Sequence, residues 1–341
     1  MKHFLYLLVV SLQFSLTGTS RAQITIDLLV PAYANPCCDG GPNMWSSLIS
    51  TAGDPSRNYD VHVILNPATG PGTALDPNYL NNAGVGPLAD FRNAGGITHG
   101  YVATTWGNRP ISEVKADIDA YVTGHYAEFV DGIFFDEMSN DLADVGYYQE
   151  LHTYVQSQQA GARTIGNPGT TFTNNPSGQI VFDANDYINS LDTIMTFEST
   201  ADEYANNYTS FPYLENLDRL KISHVIHTLG TWDATLLDTA SDRGAGFLYV
   251  TDDIFLNMDT DNPYDSLASY WSDVTSDLQA HNATLVLLGD VNLDEVVNFS
   301  DISPFIAVLS SGGFQVQADC DENGKVDFSD ISFFIAILSG S

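Results

Sequence analysis

Eight short apolar runs, each followed by a segment of helical period, constrain the fold of this chain more than any other feature. The runs begin at Ile24 (ITIDLLVPAYAN), Val61 (VHVILNPATGPG), Ile97 (ITHGYVATTWG), Val130 (VDGIFFDEMS), Ala162 (ARTIGNPG), Thr193 (TIMTFEST), Ile222 (ISHVIHTLG) and Ala245 (AGFLYVTDD). Between them lie ISEVKADIDAYVTGHY and ADVGYYQELHTYVQSQ, and after the last run YDSLASYWSDVTSDLQAH, in which apolar residues recur every three or four positions. Strand and helix alternating over roughly 260 residues predict an α/β fold with a parallel sheet and helical crossovers, and eight repeats predict closure into a (β/α)8 TIM barrel. An open doubly wound sheet is the alternative; no Gly-rich dinucleotide fingerprint follows the first run to support it.

In such barrels the C-terminal strand ends collect the reactive side chains. Here those ends carry Tyr33, Asn66, Thr104 with Trp106, the pair Asp136 and Glu137, Asn167, Glu198, His227 and the run Thr251-Asp252-Asp253. Successive strand residues point to opposite faces, so Asp136 and Glu137 both face inward only if the strand has ended and the backbone has turned. Glu198, at the tip of the sixth strand, faces the same mouth from across the ring. Two carboxylates flanking a cavity are what glycosidic bond cleavage requires, one protonating the leaving oxygen and the other acting as nucleophile or base. Asp136, Glu137 and Glu198 are therefore the candidate catalytic residues, with Asp252 and Asp253 in reserve; an acid at a strand end also serves as a helix cap or a solvated loop charge. Tyr33, Tyr101, Trp106 and Tyr204 offer flat faces for sugar rings, or simply pack the core. Candidate substrate contacts are Tyr33, Asn66, Tyr101, Thr104, Trp106, Asn167 and His227. His99, His125 and His227 lack the spacing of a zinc site and read as core or rim histidines, so no catalytic cofactor is expected.

The motifs LLVPAYANP, VILNPATGPG, HGYVATTWG, VDGIFFDE, TIGNPG and MTFES, in that order, resemble the spherulin-4 (spherulation-specific) family of secreted proteins over roughly residues 24 to 250. The resemblance implies a (β/α)8 glycoside hydrolase fold whose fungal relatives cleave galactosaminogalactan, an α-1,4-linked polymer containing galactose and N-acetylgalactosamine. It implies catalytic acids in the fourth and sixth strand motifs, which fall on Asp136, Glu137 and Glu198. The chain departs from the family at the insert Cys37-Cys38-Asp39-Gly40-Gly41, a loop expected to border the mouth. In an α-linked 2-acetamido galactoside the acetamido group is cis to the leaving oxygen and cannot displace it from the opposite face, so the protein must supply both acid and nucleophile or base.

The C-terminal part is an internal repeat, GDVNLDEVVNFSDISPFIAVLSSG and ADCDENGKVDFSDISFFIAILSGS. Loop positions 1, 3, 5, 9 and 12 fall on Asp290, Asn292, Asp294, Asn298 and Asp301, then on Asp319, Asp321, Asn323, Asp327 and Asp330; the carbonyls of Val296 and Lys325 occupy position 7. These are the ligand positions of an EF-hand-type loop, so two structural calcium ions are expected. Glu295 replaces the turn glycine of the first loop, whereas Gly324 keeps it in the second. The paired loop–helix units resemble dockerin type I modules over residues 289–341, which implies a small all-α module and a cohesin-like or cell-surface anchoring partner. Phe299 and Phe328 stand at loop position 10, where many such modules carry small polar residues.

Charge limits the partners. Eleven basic against 43 acidic residues leave a net charge of −32, which opposes binding to nucleic acid or an anionic membrane. The start MKHFLYLLVVSLQFSLTGTSRAQ has the basic, apolar and small-residue order of a secretory signal, with cleavage expected before Gln23; an N-terminal anchor is the alternative. The expected organisation is a signal over 1–22, a barrel over 23–285 and the calcium module over 286–341, in a secreted, extracellular or surface-attached protein with no membrane insertion after cleavage. Three cysteines are too few for a disulfide scaffold; Cys37 and Cys38 form either a vicinal bridge or two loop thiols.

Overall fold

The computed structural model describes residues 25–38, 40–169, 187–210, 218–255, 262–284, 287–294, 296–321 and 325–339. The expected signal segment, and Glu295, Asn323 and Gly324 of the loops expected to bind calcium, lie outside the described residues. The chain divides into two compact units, Thr25–Leu285 and Val286–Ser341.

The larger unit is a closed, all-parallel barrel in strand order one to eight. Its strands are β1 (Asp27–Ala32), β2 (Val61–Leu65), β3 (Ile97–Ala103), β4 (Gly132–Asp136), β5 (Arg163–Gly166), β6 (Thr193–Thr200), β7 (Ile222–His227) and β8 (Phe247–Val250). The open-sheet alternative is excluded, because β1 pairs with both β2 and β8. β1, β2, β7 and β8 are buried along their whole length, as strands covered on both faces must be.

Outside the barrel run α1 (Gly41–Ala52), α2 (Pro87–Asn93), α3 (Ile111–Val122), α4 (Val145–Gln158), α5 (Ala201–Asn206), α6 (Thr235–Asp242) and α7 (Trp271–Thr284). α1 buries Met44, Trp45, Leu48 and Ala52, and α3 buries Val114, Ile118, Tyr121 and Val122; each set falls on one helical stripe. Close helix-to-strand packing needs a missing side chain at Gly100, where an added Cβ would come within 2.4 Å of the Tyr121 ring. α7 fastens the barrel at its seam. Its Asn282 side chain accepts from the Ile26 N–H (3.0 Å) and donates to the Ile26 carbonyl (2.9 Å). The segment read as a helix from Tyr264 is helical only from Trp271, so Tyr264 to Tyr270 form a connection instead.

The smaller unit contains α8 (Ile302–Ser311) and α9 (Asp330–Ser339), each preceded by one of the repeated loops. Phe305 and Phe334, equivalent in the two repeats, stack at 4.1 Å over a core with Val291, Ala318 and Cys320. Asp301 is fully buried and accepts from the backbone N–H of Asn292 (3.0 Å) and Asn298 (2.9 Å). Asp330 repeats this with Asp321 (3.1 Å) and Asp327 (2.8 Å). Each loop is thus folded around its own position-12 carboxylate.

Candidate active site

At the C-terminal ends of the barrel strands lies a cavity of about 420 Å³, lined by Pro31, Tyr33, Trp106, Phe134, Asp136, Glu137, Asn167, Pro168, Gly169, Met195, Glu198, His227, Phe255 and Tyr264. The two neighbouring acids reach it together because β4 ends at Asp136 and the backbone turns at once. Glu137 has φ +50°, a left-handed conformation uncommon for a residue with a side chain. The turn is fastened on all sides: Thr104 N–H donates to the Asp136 carbonyl (3.0 Å), Trp106 N–H to that of Glu137 (2.6 Å) and Met138 N–H to that of Asn167 (2.8 Å).

Two carboxylates share one amide. Asn167 Nδ2 donates to Asp136 Oδ1 at 3.0 Å and to Glu198 Oε2 at 2.7 Å. The remaining oxygens each take a phenol: Tyr101 donates to Asp136 Oδ2 (2.8 Å) and Tyr264 to Glu198 Oε1 (2.5 Å). The hydrogen-bonded order is therefore Tyr101, Asp136, Asn167, Glu198, Tyr264. Burial pushes the Asp136 carboxyl up to about 6, and the nearby Glu198 charge adds to the effect against the hydrogen bond from Tyr101. Burial and these acids hold the Tyr101 and Tyr264 hydroxyls well above their ordinary range, so both stay protonated and able to donate. His227, whose Nδ1 lies 3.0 Å from Thr228 Oγ1, is held below its usual value by burial and is neutral at neutral pH.

Several expected contacts are placed elsewhere. Asn66 accepts from Gly70 N–H (2.8 Å) and shapes its own loop rather than lining the cavity. Thr104 is fully buried, its hydroxyl donating to the carbonyls of Asp136 and Glu137, both at 2.9 Å. It holds the acid turn from behind. Tyr101 also stands behind Asp136, 6% exposed and outside the lining. Tyr204 is a core residue, packed on Phe197 at 4.7 Å and bonded to His224 at 3.0 Å. Asp252 and Asp253 fasten a connection instead of entering the cavity: Ser269 N–H donates to Asp252 Oδ1 (3.1 Å) and Ser266 Oγ to Asp253 Oδ2 (2.7 Å). His99 is a core residue stacked on His62, and His125 Nε2 lies 3.1 Å from the Pro71 carbonyl. Tyr264 and Phe255 line the cavity without having been singled out in the sequence. The helical period of the segment that begins at Tyr264 hides the first of them, and Phe255 stands five residues beyond the end of β8, outside any motif. Cys37 and Cys38 are bridged, in the connection between Tyr33 and α1.

In the smaller unit carboxylate oxygens of Asp290, Asp294 and Asp301 lie within 4.8 Å of one another, as do those of Asp319, Asp321 and Asp330. A donor set made only of oxygen suits a hard cation such as calcium.

Spherulin-4 of Physarum polycephalum is 27% identical over 273 residues, covering 77% of this chain and 73% of its own. The crystal structure of Aspergillus clavatus Sph3 in complex with GalNAc superposes with a TM-score of 0.59 at 24% identity, covering 76% of this chain and 99% of that one, a likeness of fold. The model of spherulation-specific family 4 matches residues 27–278, strand β1 through most of α7 and every residue of the cavity. This chain belongs to spherulation-specific family 4.

Proposed function

We propose that the protein is a secreted, endo-acting glycoside hydrolase that cleaves an amino-sugar polysaccharide of the galactosaminogalactan type, at α-1,4-N-acetylgalactosamine linkages. The observation that carries this reading is the sharing of the Asn167 amide by Asp136 and Glu198, with Glu137 beside them in an aromatic cavity. The GalNAc bound by Sph3, on the same fold, supports the sugar class.

Because one nitrogen reaches Asp136 at 3.0 Å and Glu198 at 2.7 Å, the oxygens it joins are no farther apart than those two distances laid end to end. That is short of the roughly 6.5 Å needed to seat a water between acid and base, and fits the roughly 5 Å of a retaining enzyme. Asp136, protonated in part near neutrality, transfers its proton to the glycosidic oxygen as Glu198 attacks C1 from the other face. The leaving sugar departs with that proton, and a glycosyl–Glu198 ester remains. Water, deprotonated by Asp136, then releases the sugar with its anomeric configuration retained. Glu137 stands where it can meet the leaving sugar, and Trp106, 54% exposed at the mouth, offers an open stacking face.

The C-terminal unit completes the reading as a calcium-bound dockerin-like module that anchors the enzyme through a cohesin-like or cell-surface partner. Asp290, Asn292, Asp294, Asn298, Asp301 and the Val296 carbonyl would hold one ion; Asp319, Asp321, Asn323, Asp327, Asp330 and the Lys325 carbonyl would hold the other. Bound calcium would neutralise the gathered carboxylates and so stabilise the fold of the loops.

The test is oligosaccharide release from purified galactosaminogalactan and a panel of other amino-sugar polymers. Asp136→Asn and Glu198→Gln are expected to lower turnover by about 10² to 10⁴-fold, and Glu137→Gln to lower it as well. Glycan binding without release from any polymer would favour a non-catalytic binding protein.

A further inference from the structure

Glu198 is a long side chain that must present one oxygen to a reacting carbon, and its orientation is set by a residue from outside the barrel strands. Tyr264 lies between β8 and α7. Its backbone N–H donates to Asn262 Oδ1 (3.1 Å), and its carbonyl accepts from the Tyr33 N–H (3.2 Å). Just beyond it the Ser266 carbonyl accepts from the Tyr249 hydroxyl (3.2 Å), and Ser266 Oγ is tied to Asp253. The connection after β1 presses on the same segment: a Cβ on Gly40 would come within 2.7 Å of the Asp265 carbonyl oxygen. The Tyr264 ring stands edge-on to Tyr33 at 5.6 Å and is 8% exposed. Its hydroxyl donates to Glu198 Oε1 at 2.5 Å, while Oε2 is taken by the amide shared with Asp136.

We propose that Tyr264 is a positioning residue, holding Glu198 by one oxygen so that the other is presented on the side of Asp136. The consequence for turnover rests on the hydrolase reading above; the contact itself does not. A glutamate held at both oxygens has one orientation. Tyr101 holds Asp136 from the opposite end in the same manner. The acids after β8, Asp252 and Asp253, then act at a distance by fastening the mount of Tyr264.

Tyr264→Phe keeps the ring and its packing and removes only the donor. On a cleaved polymer kcat is expected to fall by about 100-fold with KM little changed, as misplacement of a reacting group does. A merely structural role would lower the folded fraction and leave kcat per folded molecule where it was. The contact is read without turnover from the ¹³C carboxyl resonance of Glu198 at fixed pH, assigned by the signal lost in Glu198→Gln. A displaced resonance in Tyr264→Phe supports the proposal even if no polymer is cleaved, a result that would sink the hydrolase reading alone. An unmoved resonance overturns it. Should Tyr264→Phe not fold, 3-fluorotyrosine at this position keeps shape and hydroxyl while strengthening the donor; the Glu198 resonance must then move, and a stationary one overturns the proposal.

Discussion

At the residue scale the site is a chain of donors and acceptors in which each carboxylate oxygen of Asp136 and Glu198 has a named partner. Asp136 has the consequence that can be measured most directly. Its folded value, about 6, lies above the 3.8 of a free aspartate. Such a group contributes stability that is fully present below the unfolded value and lost as pH rises through the folded one. Asp136→Asn is therefore expected to raise the thermal midpoint at pH 7.5, by about 1 kcal/mol of stability, and to leave it near that of the native protein at pH 4. In the mechanism we propose, Asp136 is the proton donor and sets the basic limb of the rate profile, so activity is expected to fall as pH rises through about 6. Tyr101→Phe removes a donor to its anion and should carry that limb to higher pH.

The individual elements show why some residues were legible in the sequence and others were not. The eight strands were readable because a strand covered on both faces is an unbroken apolar run, and the acids because polar residues directly after such runs stand out. Asn66, Thr104 and Tyr204 carried the same signal and are used differently: whether a strand-end side chain enters the cavity depends on where the strand stops and how its loop turns. The left-handed turn at Glu137 puts two adjacent acids on one side, and nothing in the local pattern requires it. Tyr264 was obscured by a helical period that starts seven residues before the helix does. Two elements invite direct measurement. Asn282→Ala, which strands the backbone polar groups of Ile26 at the barrel seam, should cost about 2 to 4 kcal/mol in denaturant unfolding. The Cys37–Cys38 bridge closes almost no chain between its ends. Replacing both by serine should shift the global midpoint by under about 1 kcal/mol, since cross-links over longer loops gain more.

For the whole molecule the question is how an acidic chain uses its charge. With 43 acidic residues and a net charge of −32, self-repulsion opposes compaction. In the C-terminal unit that repulsion is concentrated, since Asp301 and Asp330 are fully buried beside further aspartates. Calcium at a hundredfold excess over its Kd should stabilise the fold it binds by about 2.7 kcal/mol. Hydrogen exchange on the full chain is the measurement: amides of residues 302–311 and 330–339 should gain protection with calcium and lose it with a chelator. Asp301→Ala together with Asp330→Ala should abolish the response. Equal exchange with and without the ion would sink the calcium assignment.

Sequence by itself determined the barrel class, the three acids now found in one cavity and the duplicated spacing of oxygen-bearing residues near the C-terminus. Each of these rests on periodicity or on residue type at a fixed interval, which a linear pattern records. Tertiary structure decided the bridging of Asp136 and Glu198 by Asn167, the closeness of their oxygens, the withdrawal of Asn66, Thr104 and Tyr204 from the mouth and the entry of Tyr264. The bridging, the closeness and the entry of Tyr264 depend on distances across a closed ring between residues 31 to 66 positions apart in the chain. Barrel closure, not local preference, sets such distances.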